Sequence, residues 1–173
     1  MRAAPGSFRF RKIAEPKGDP ALASFSSGSG THPAEVDRLV ARLYEGTNTV
    51  KPTVLVLEGP HGEVIGIVAY RPRPLAALEQ LQDAVYIHCI AISAVYRGSR
   101  LEGGEPPATV LLREALGRIR EESGGSMPAV WALIHHDNRA AHKLLEREGF
   151  EYIETARGND AIRFRPAGLL ETP

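Results

Sequence analysis

From Phe8 to Ile13 apolar positions alternate with basic ones (Phe8, Phe10 and Ile13 against Arg9, Arg11 and Lys12), a pattern that predicts an edge-like first strand. The stretch from Glu15 to Gly30 is rich in Gly, Pro and Ser and reads as loop, its tract Ser24 to Gly30 mobile unless a ligand orders it. Val36, Leu39, Val40 and Leu43 then fall at i, i+3, i+4 and i+7 behind Pro33, which predicts a helix. Two apolar runs, Thr53 to Glu58 and Glu63 to Tyr70, flank Gly59-Pro60-His61-Gly62 and read as a hairpin. A fourth strand is expected over Val85 to Ser93. From Pro107 to around Glu121 the residues Ala108, Leu111, Leu112, Ala115, Leu116 and Ile119 keep the helical period, while Arg113, Glu114, Arg118 and Arg120 take the outer face.

Ala129 to His135 is a fifth predicted strand. A helix follows, capped by Asp137 or Asn138 and stopped by Gly149. Tyr152 to Thr155 and Ala161 to Phe164 make a last hairpin around Gly158-Asn159-Asp160, and the tail from Pro166 carries no strong signal. Strands outnumber helices and are joined by hairpins as well as crossovers. The expectation is a single domain over residues 1–173 of the α/β (α+β) class, with a mixed sheet.

Composition narrows the function classes. Lysine plus arginine and aspartate plus glutamate number 21 each, so no bulk charge draws the chain to nucleic acid or a membrane surface. No apolar stretch approaches spanning length, and the N-terminal residues lack a signal-peptide core. Cys89 is the single cysteine and stands in an apolar run, so it reads as a small core residue in a reducing, cytoplasmic compartment.

A ligand that joins a pyrophosphate to an amide-bearing arm requires convergent backbone N–H donors for the first and a strand edge for the second. A strand, a donor-rich loop and a helix in direct succession supply both, and Val85 to Ile119 has that order. Within it Ile90, Ile92, Tyr96, Arg97 and Gly98 follow the motif apolar-x-apolar-x-Pro-x-Tyr-Arg-Gly, with Ala94 at the proline position. Further on, Asn138, Ala141, Leu144, Gly149 and Phe150 follow Asn-x-x-Ala-x-x-Leu-x-x-x-x-Gly-Phe. With these two stretches the chain resembles the GNAT superfamily of amine N-acetyltransferases, over about Phe8 to Phe164.

The resemblance implies a central, mixed, mostly antiparallel sheet of about seven strands flanked by helices, with acetyl-CoA as cofactor. It places pantetheine on the backbone of Ile90, Ala91 and Ile92, and the pyrophosphate on Arg97, Gly98, Ser99 and Arg100. Asn138 and Ala141 face the pantetheine arm. About five residues around Leu101-Glu102-Gly103-Gly104-Glu105-Pro106 are inserted before the helix, where Gly103 and Gly104 let the backbone close on a phosphate and Glu102 and Glu105 must point away.

The implied reaction is attack of a neutral amine on the thioester carbonyl, through a tetrahedral oxyanion. The family often protonates the departing thiolate with a tyrosine, but this chain has Leu145 there, and leucine transfers no proton. Nor does the fourth strand carry a carboxylate base. Tyr86 and His88, at i and i+2 in line with Ile90 and Ile92, are the candidates left, with His88 the better base by its ordinary pKa. His142, three residues before Leu145, is the candidate substitute acid. No short ligand spacing among the histidines supports a metal. The acceptor is expected to be a primary amine of a small molecule or peptide, and a homodimer is compatible with this reading. The alternative is a non-catalytic acyl-CoA-binding module that has lost its acid. A toxin-like member acting on charged tRNA would want a basic groove, which the neutral charge does little to support.

Overall fold

The computed structural model describes residues 8–75, 83–155 and 160–168. In chain order its elements are β1 (Arg9–Ile13), α1 (Pro20–Ser24), α2 (Thr31–Glu45), β2 (Thr53–Glu58), β3 (Val64–Pro72), β4 (Val85–Ile92), a 3-10 turn (Ala94–Tyr96), α3 (Pro107–Glu122), β5 (Val130–His135), α4 (Arg139–Arg147), β6 (Glu151–Thr155) and β7 (Asp160–Arg165). The strands form one seven-stranded sheet in the order β1-β2-β3-β4-β5-β7-β6. It is mixed and mostly antiparallel: β1 with β2, β5 with β7 and β6 with β7 run antiparallel, and β4 with β5 runs parallel. The expected fold class is therefore the observed one. The expected turn at Gly158 and Asn159 and the end of the tail lie outside the described residues.

Two compact units divide the chain, one from the described residues up to Ala69 with Cys89–Leu112, the other from Tyr70–His88 and the residues from Arg113 onward. In the first, β2 and β3 are buried on both faces, which explains their continuous apolar runs. Ile13, Leu22, Phe25, Val40, Leu43, Val54, Val56, Ile67 and Ala91 form one packed cluster against which Val36, Leu39 and Cys89 lie. The edge strand brings two arginines to a buried carboxylate: Arg9 Nε and Arg11 Nε donate to Glu58 at 2.6 and 2.8 Å. Burial alone would raise the Glu58 pKa, but these guanidiniums hold it below the usual range on balance.

The segment read as loop between β1 and α2 contains the helix α1. Asp19 accepts from Ala21 N–H at 2.9 Å and Pro20 takes the first turn, while Ala21 and Leu22 are buried. Five residues are too few to show a helical period, so pattern alone passed over it.

In the second unit Leu75, Ala84, Tyr86, Ala129, Trp131 and Ile162 pack with Leu133, Ile153 and Phe164. Asn138 caps α4, its Oδ1 accepting from Ala141 N–H at 3.2 Å. The helix closes with Gly149 at φ 84, and Phe150 N–H reaches back to the Leu145 carbonyl at 2.9 Å. Among the described residues no helix is long and apolar enough to cross a membrane.

Leu111 is fully buried, so Leu111→Ala is expected to cost about 2–5 kcal/mol of unfolding free energy. Val95, at 83% exposure, should tolerate alanine within about 0.5 kcal/mol. Urea unfolding of the two variants checks the contrast.

Candidate active site

In the first unit β4 delivers its chain into the 3-10 turn and then into a loop that opens α3. The β4–β5 ladder covers Val85 to Ile87 only, opposite Val130 to Ala132. Downstream of it come Ile90, Ala91 and Ile92, the residues expected to receive pantetheine. Ala91 is buried and Ile90 and Ile92 are partly buried. Ser93 N–H donates to the Ile65 carbonyl at 2.8 Å, anchoring the end of the strand on β3.

The turn is tethered by Tyr96, whose hydroxyl donates to Glu63 Oε1 at 2.9 Å. Gly98 follows with φ 74 and nothing within 4 Å of where a Cβ would stand. Only glycine adopts that backbone freely and leaves the space above it open. Ser99 donates its hydroxyl to the Tyr96 carbonyl at 2.6 Å, and Arg100 Nη1 donates to the Gly104 carbonyl at 2.6 Å.

The insertion is a closed turn. Leu101 is buried; its N–H donates to the Glu105 carbonyl and its carbonyl accepts from Gly104 N–H, both at 2.9 Å. Gly103 and Gly104 have φ 97 and 81, and Glu102 and Glu105 are exposed. Among the described residues the N–H groups of Gly98, Arg100 and Gly103 meet no acceptor, so the loop presents donors at the start of α3. Backbone donors at a helix N-terminus suit a pyrophosphate, and the residues present fit that group.

Arg97 does something else. Its Nη2 donates to the Ser27 carbonyl, and Ala94 N–H donates to the Ser26 carbonyl at 3.1 Å. Ser27 is 1% exposed; its N–H and hydroxyl donate to Asp37 Oδ1 at 2.9 and 2.6 Å. The Ser/Gly tract expected to be mobile is thus held between Asp37 of α2 and the 3-10 turn. Its composition favours flexibility, and these four specific bonds outweigh that preference.

In the second unit Asn138 spends its carbonyl oxygen on the α4 cap, which leaves its Nδ2 hydrogens as donors. Ala141 is partly buried and Leu145 is 3% exposed. His142 Nδ1 accepts from Arg163 Nε at 3.0 Å, and burial and that guanidinium lower its pKa. A neutral imidazole so held is a poor replacement acid. Arg163 also pairs with Glu146 at 2.6 Å.

His88 is in a similar position. Arg71 Nε donates to His88 Nε2 at 2.8 Å, occupying the lone pair a base would use. Burial, with Arg71 and Arg73, lowers its pKa to about 4. Tyr86 is buried, its ring 4.6 Å from that of His88 and 4.4 Å from that of Trp131.

The residues from 23 to 150 match the family profile of the acetyltransferase (GNAT) family. The chain belongs to that family. Among curated proteins none matches it. Solved structures sharing its fold include the Thermoplasma acidophilum PaiA N-acetyltransferase in complex with coenzyme A, at 14% identity and TM-score 0.60, covering 92% of this chain and 99% of that one. AtaTR bound with AcCoA matches at 14% identity and TM-score 0.66, covering 92% of each chain. A GNAT-family acetyltransferase from Listeria monocytogenes matches at 18% identity and TM-score 0.59, covering 95% and 98%. At these identities the likeness is one of fold.

Two features of this GNAT protein escaped the sequence pattern. His135, His136 and Asp137 bring ligand atoms within 4.8 Å of one another, a grouping the sequence reading did not single out. His136 Nε2 lies 2.9 Å from Asp137 Oδ1, and His135 Nδ1 accepts from Asp137 N–H at 3.4 Å. The second is the pair Arg71 and Arg73. The strand was expected to stop at Tyr70 and runs to Pro72, which carries both arginines into the His88 neighbourhood. Cys89, as expected, is a thiol of the core, pushed up to about 12 by burial.

Because the folded His88 pKa is about 4 against an ordinary 6.5, the unfolded chain binds the extra proton first. Stability should fall as pH drops from about 6.5 toward 4 and then level off. Ring-proton NMR, assigned with His88→Gln, is expected to show a midpoint near 4 that rises in Arg71→Gln.

Proposed function

We propose that this GNAT protein is an acetyl-CoA-dependent N-acetyltransferase acting on a primary amine of a small molecule or peptide. The observation that carries the reading is the loop from Arg97 to Glu105, with its unclaimed N–H groups and open Gly98, set between β4 and α3. The AcCoA and CoA held by AtaTR and the Thermoplasma enzyme support it. So does a family match that takes in both the loop and α4. The same match supports reading the two units as parts of one domain. A lone thiol in the core suits a cytoplasmic setting.

In this reading the main chain of Ile90 to Ile92 pairs with the pantetheine amides. The backbone of Arg97 to Arg100, with Gly103 and Gly104, binds the pyrophosphate. Asn138 Nδ2 donates to a cofactor amide, and Ala141 leaves room beside it. Bound acetyl-CoA supplies an activated acetyl thioester, whose acyl carbon passes to the amine nitrogen as the carbon–sulfur bond breaks. Leu145 gives the sulfur no proton. A thiol with an ordinary pKa of about 8.5 leaves without one, and losing a general acid typically costs about 10²–10⁴-fold rather than everything.

Of the residues nominated for proton transfer, His88 is already hydrogen-bonded at Nε2 and disfavours a second positive charge beside Arg71. It is better suited to holding Arg71 than to taking a proton. The amine then loses its proton to solvent, and only its neutral fraction attacks.

Two measurements test this. Calorimetry should detect acetyl-CoA binding that weakens roughly tenfold or more, about 1.4 kcal/mol, in Gly98→Val. Thiol release with an amine panel should follow the acceptor's own ionisation, kcat/KM rising tenfold per pH unit up to the amine pKa with no inflection near 6.5. A histidine inflection would reinstate a general base. The buried Leu145 favours a second reading, a CoA-binding module; binding without turnover on any amine would decide for it.

A further inference from the structure

Arg71 and Arg73 stand at i and i+2 on β3 and its exit, so both project to the same side of the strand. Opposite them on β4 are Tyr86 and His88, at the same spacing, and Tyr86 is in register with Trp131 of β5. The Arg73 guanidinium lies 5.0 Å from the Tyr86 ring centre and 5.2 Å from that of Trp131. Trp131 Nε1 donates to the Arg73 carbonyl at 2.9 Å, and Arg73 N–H donates to the Ala84 carbonyl at 2.8 Å. Arg71 is fixed by His88.

Two cations are therefore held by neutral partners: Arg73 over two aromatic rings and Arg71 by a neutral imidazole, with the Arg73 main chain fixed by Ala84 and Trp131. Among the described residues neither guanidinium has a carboxylate partner, although this chain pairs Arg9, Arg11, Arg113, Arg118 and Arg163 with acids. All of Arg71, Arg73 and His88 are partly exposed. Like charges held together without a counter-ion cost free energy, and a bound oxyanion would remove that cost. A guanidinium resting on rings keeps its N–H edge available for bidentate pairing.

We propose that Arg71 and Arg73 bind an oxyanion, a carboxylate or phosphonate, borne by the acceptor amine. The substrate class is thus an amino acid or an aminophosphonate rather than a simple amine. This rests on the acetyltransferase reading for the word acceptor; the oxyanion site itself stands on this cluster alone. Arg71 and Arg73 are the specificity residues, Trp131 and Tyr86 the platform, and His88 the positioning residue that orients Arg71.

Trp131 is the chain's one tryptophan, so its emission reports on this cluster without a label. The intact protein is titrated with alanine and phenylalanine, each beside its aminophosphonate analogue and its decarboxylated amine. Saturable emission changes are expected with the acid or the phosphonate and not with the amine, and the stronger of the two names the oxyanion. Arg73→Gln should raise half-saturation roughly tenfold or more, with Arg73→Lys in between and the melting temperature preserved. An amine that performs as well as its acid, no saturable response to any oxyanion, or an unchanged Arg73→Gln would overturn the proposal. Acetyl-CoA calorimetry on the same samples keeps the two readings apart. Lost donor binding with intact oxyanion binding refutes the transferase reading and the acceptor role with it, leaving the oxyanion site; intact donor binding and turnover without acid preference refutes only the oxyanion site.

Discussion

Burial of β2 and β3 on both faces is the constraint from which the rest of the first unit follows. Val54 to Leu57 and Val64 to Ala69 are nearly continuous apolar runs with almost no exposure. Such strands need cover on each side, since every 100 Å² of apolar surface left in water costs about 2.5 kcal/mol. The cluster of Val40, Leu43, Val54, Val56 and Ile67 covers one side through α2. A strand sealed in this way can neither slip in register nor bend, and the end of β4 is anchored to it through Ser93 and Ile65. The loop after β4 therefore starts from a fixed point.

That fixed point matters because backbone donors act only when their directions are set in advance. The loop achieves this with three tethers: Tyr96 to Glu63, Arg97 to Ser27, and the closed turn at Leu101. Ser27 is itself held by Asp37, so the Ser/Gly tract and the loop after β4 stabilise each other. Arg97, the charged residue of the motif, contributes through this tether, and the proposed binding role is left to the main chain.

Arginines decide the fate of both histidines nominated for proton transfer. Arg71 holds His88 and Arg163 holds His142, each through a ring nitrogen and each lowering the pKa. A histidine beside a guanidinium stays neutral at physiological pH, which makes it a good acceptor of a hydrogen bond and a poor acceptor of a proton. With leucine at position 145, the proposed transfer is left to positioning and to the neutral fraction of the amine.

Much of this was legible in the residues. Helical and strand periods located every long element, and the glycine-ended helix from Asn138 to Gly149 closed as its capping signals said. The motif Tyr96-Arg97-Gly98 named the family, because glycine conformations and cap chemistry are local and leave a local mark. What stayed hidden was non-local or too short to show a period: the five-residue α1, the docking of Ser27, the two extra residues of β3. The sequence by itself determined the fold class and the donor-rich loop, since hydrophobic period and backbone freedom are properties of neighbours along the chain. Only the tertiary structure decided which histidines keep a usable lone pair and which arginines lack an acid, because a pKa depends on charges brought close by strand pairing, as Arg71 is to His88, 17 positions away.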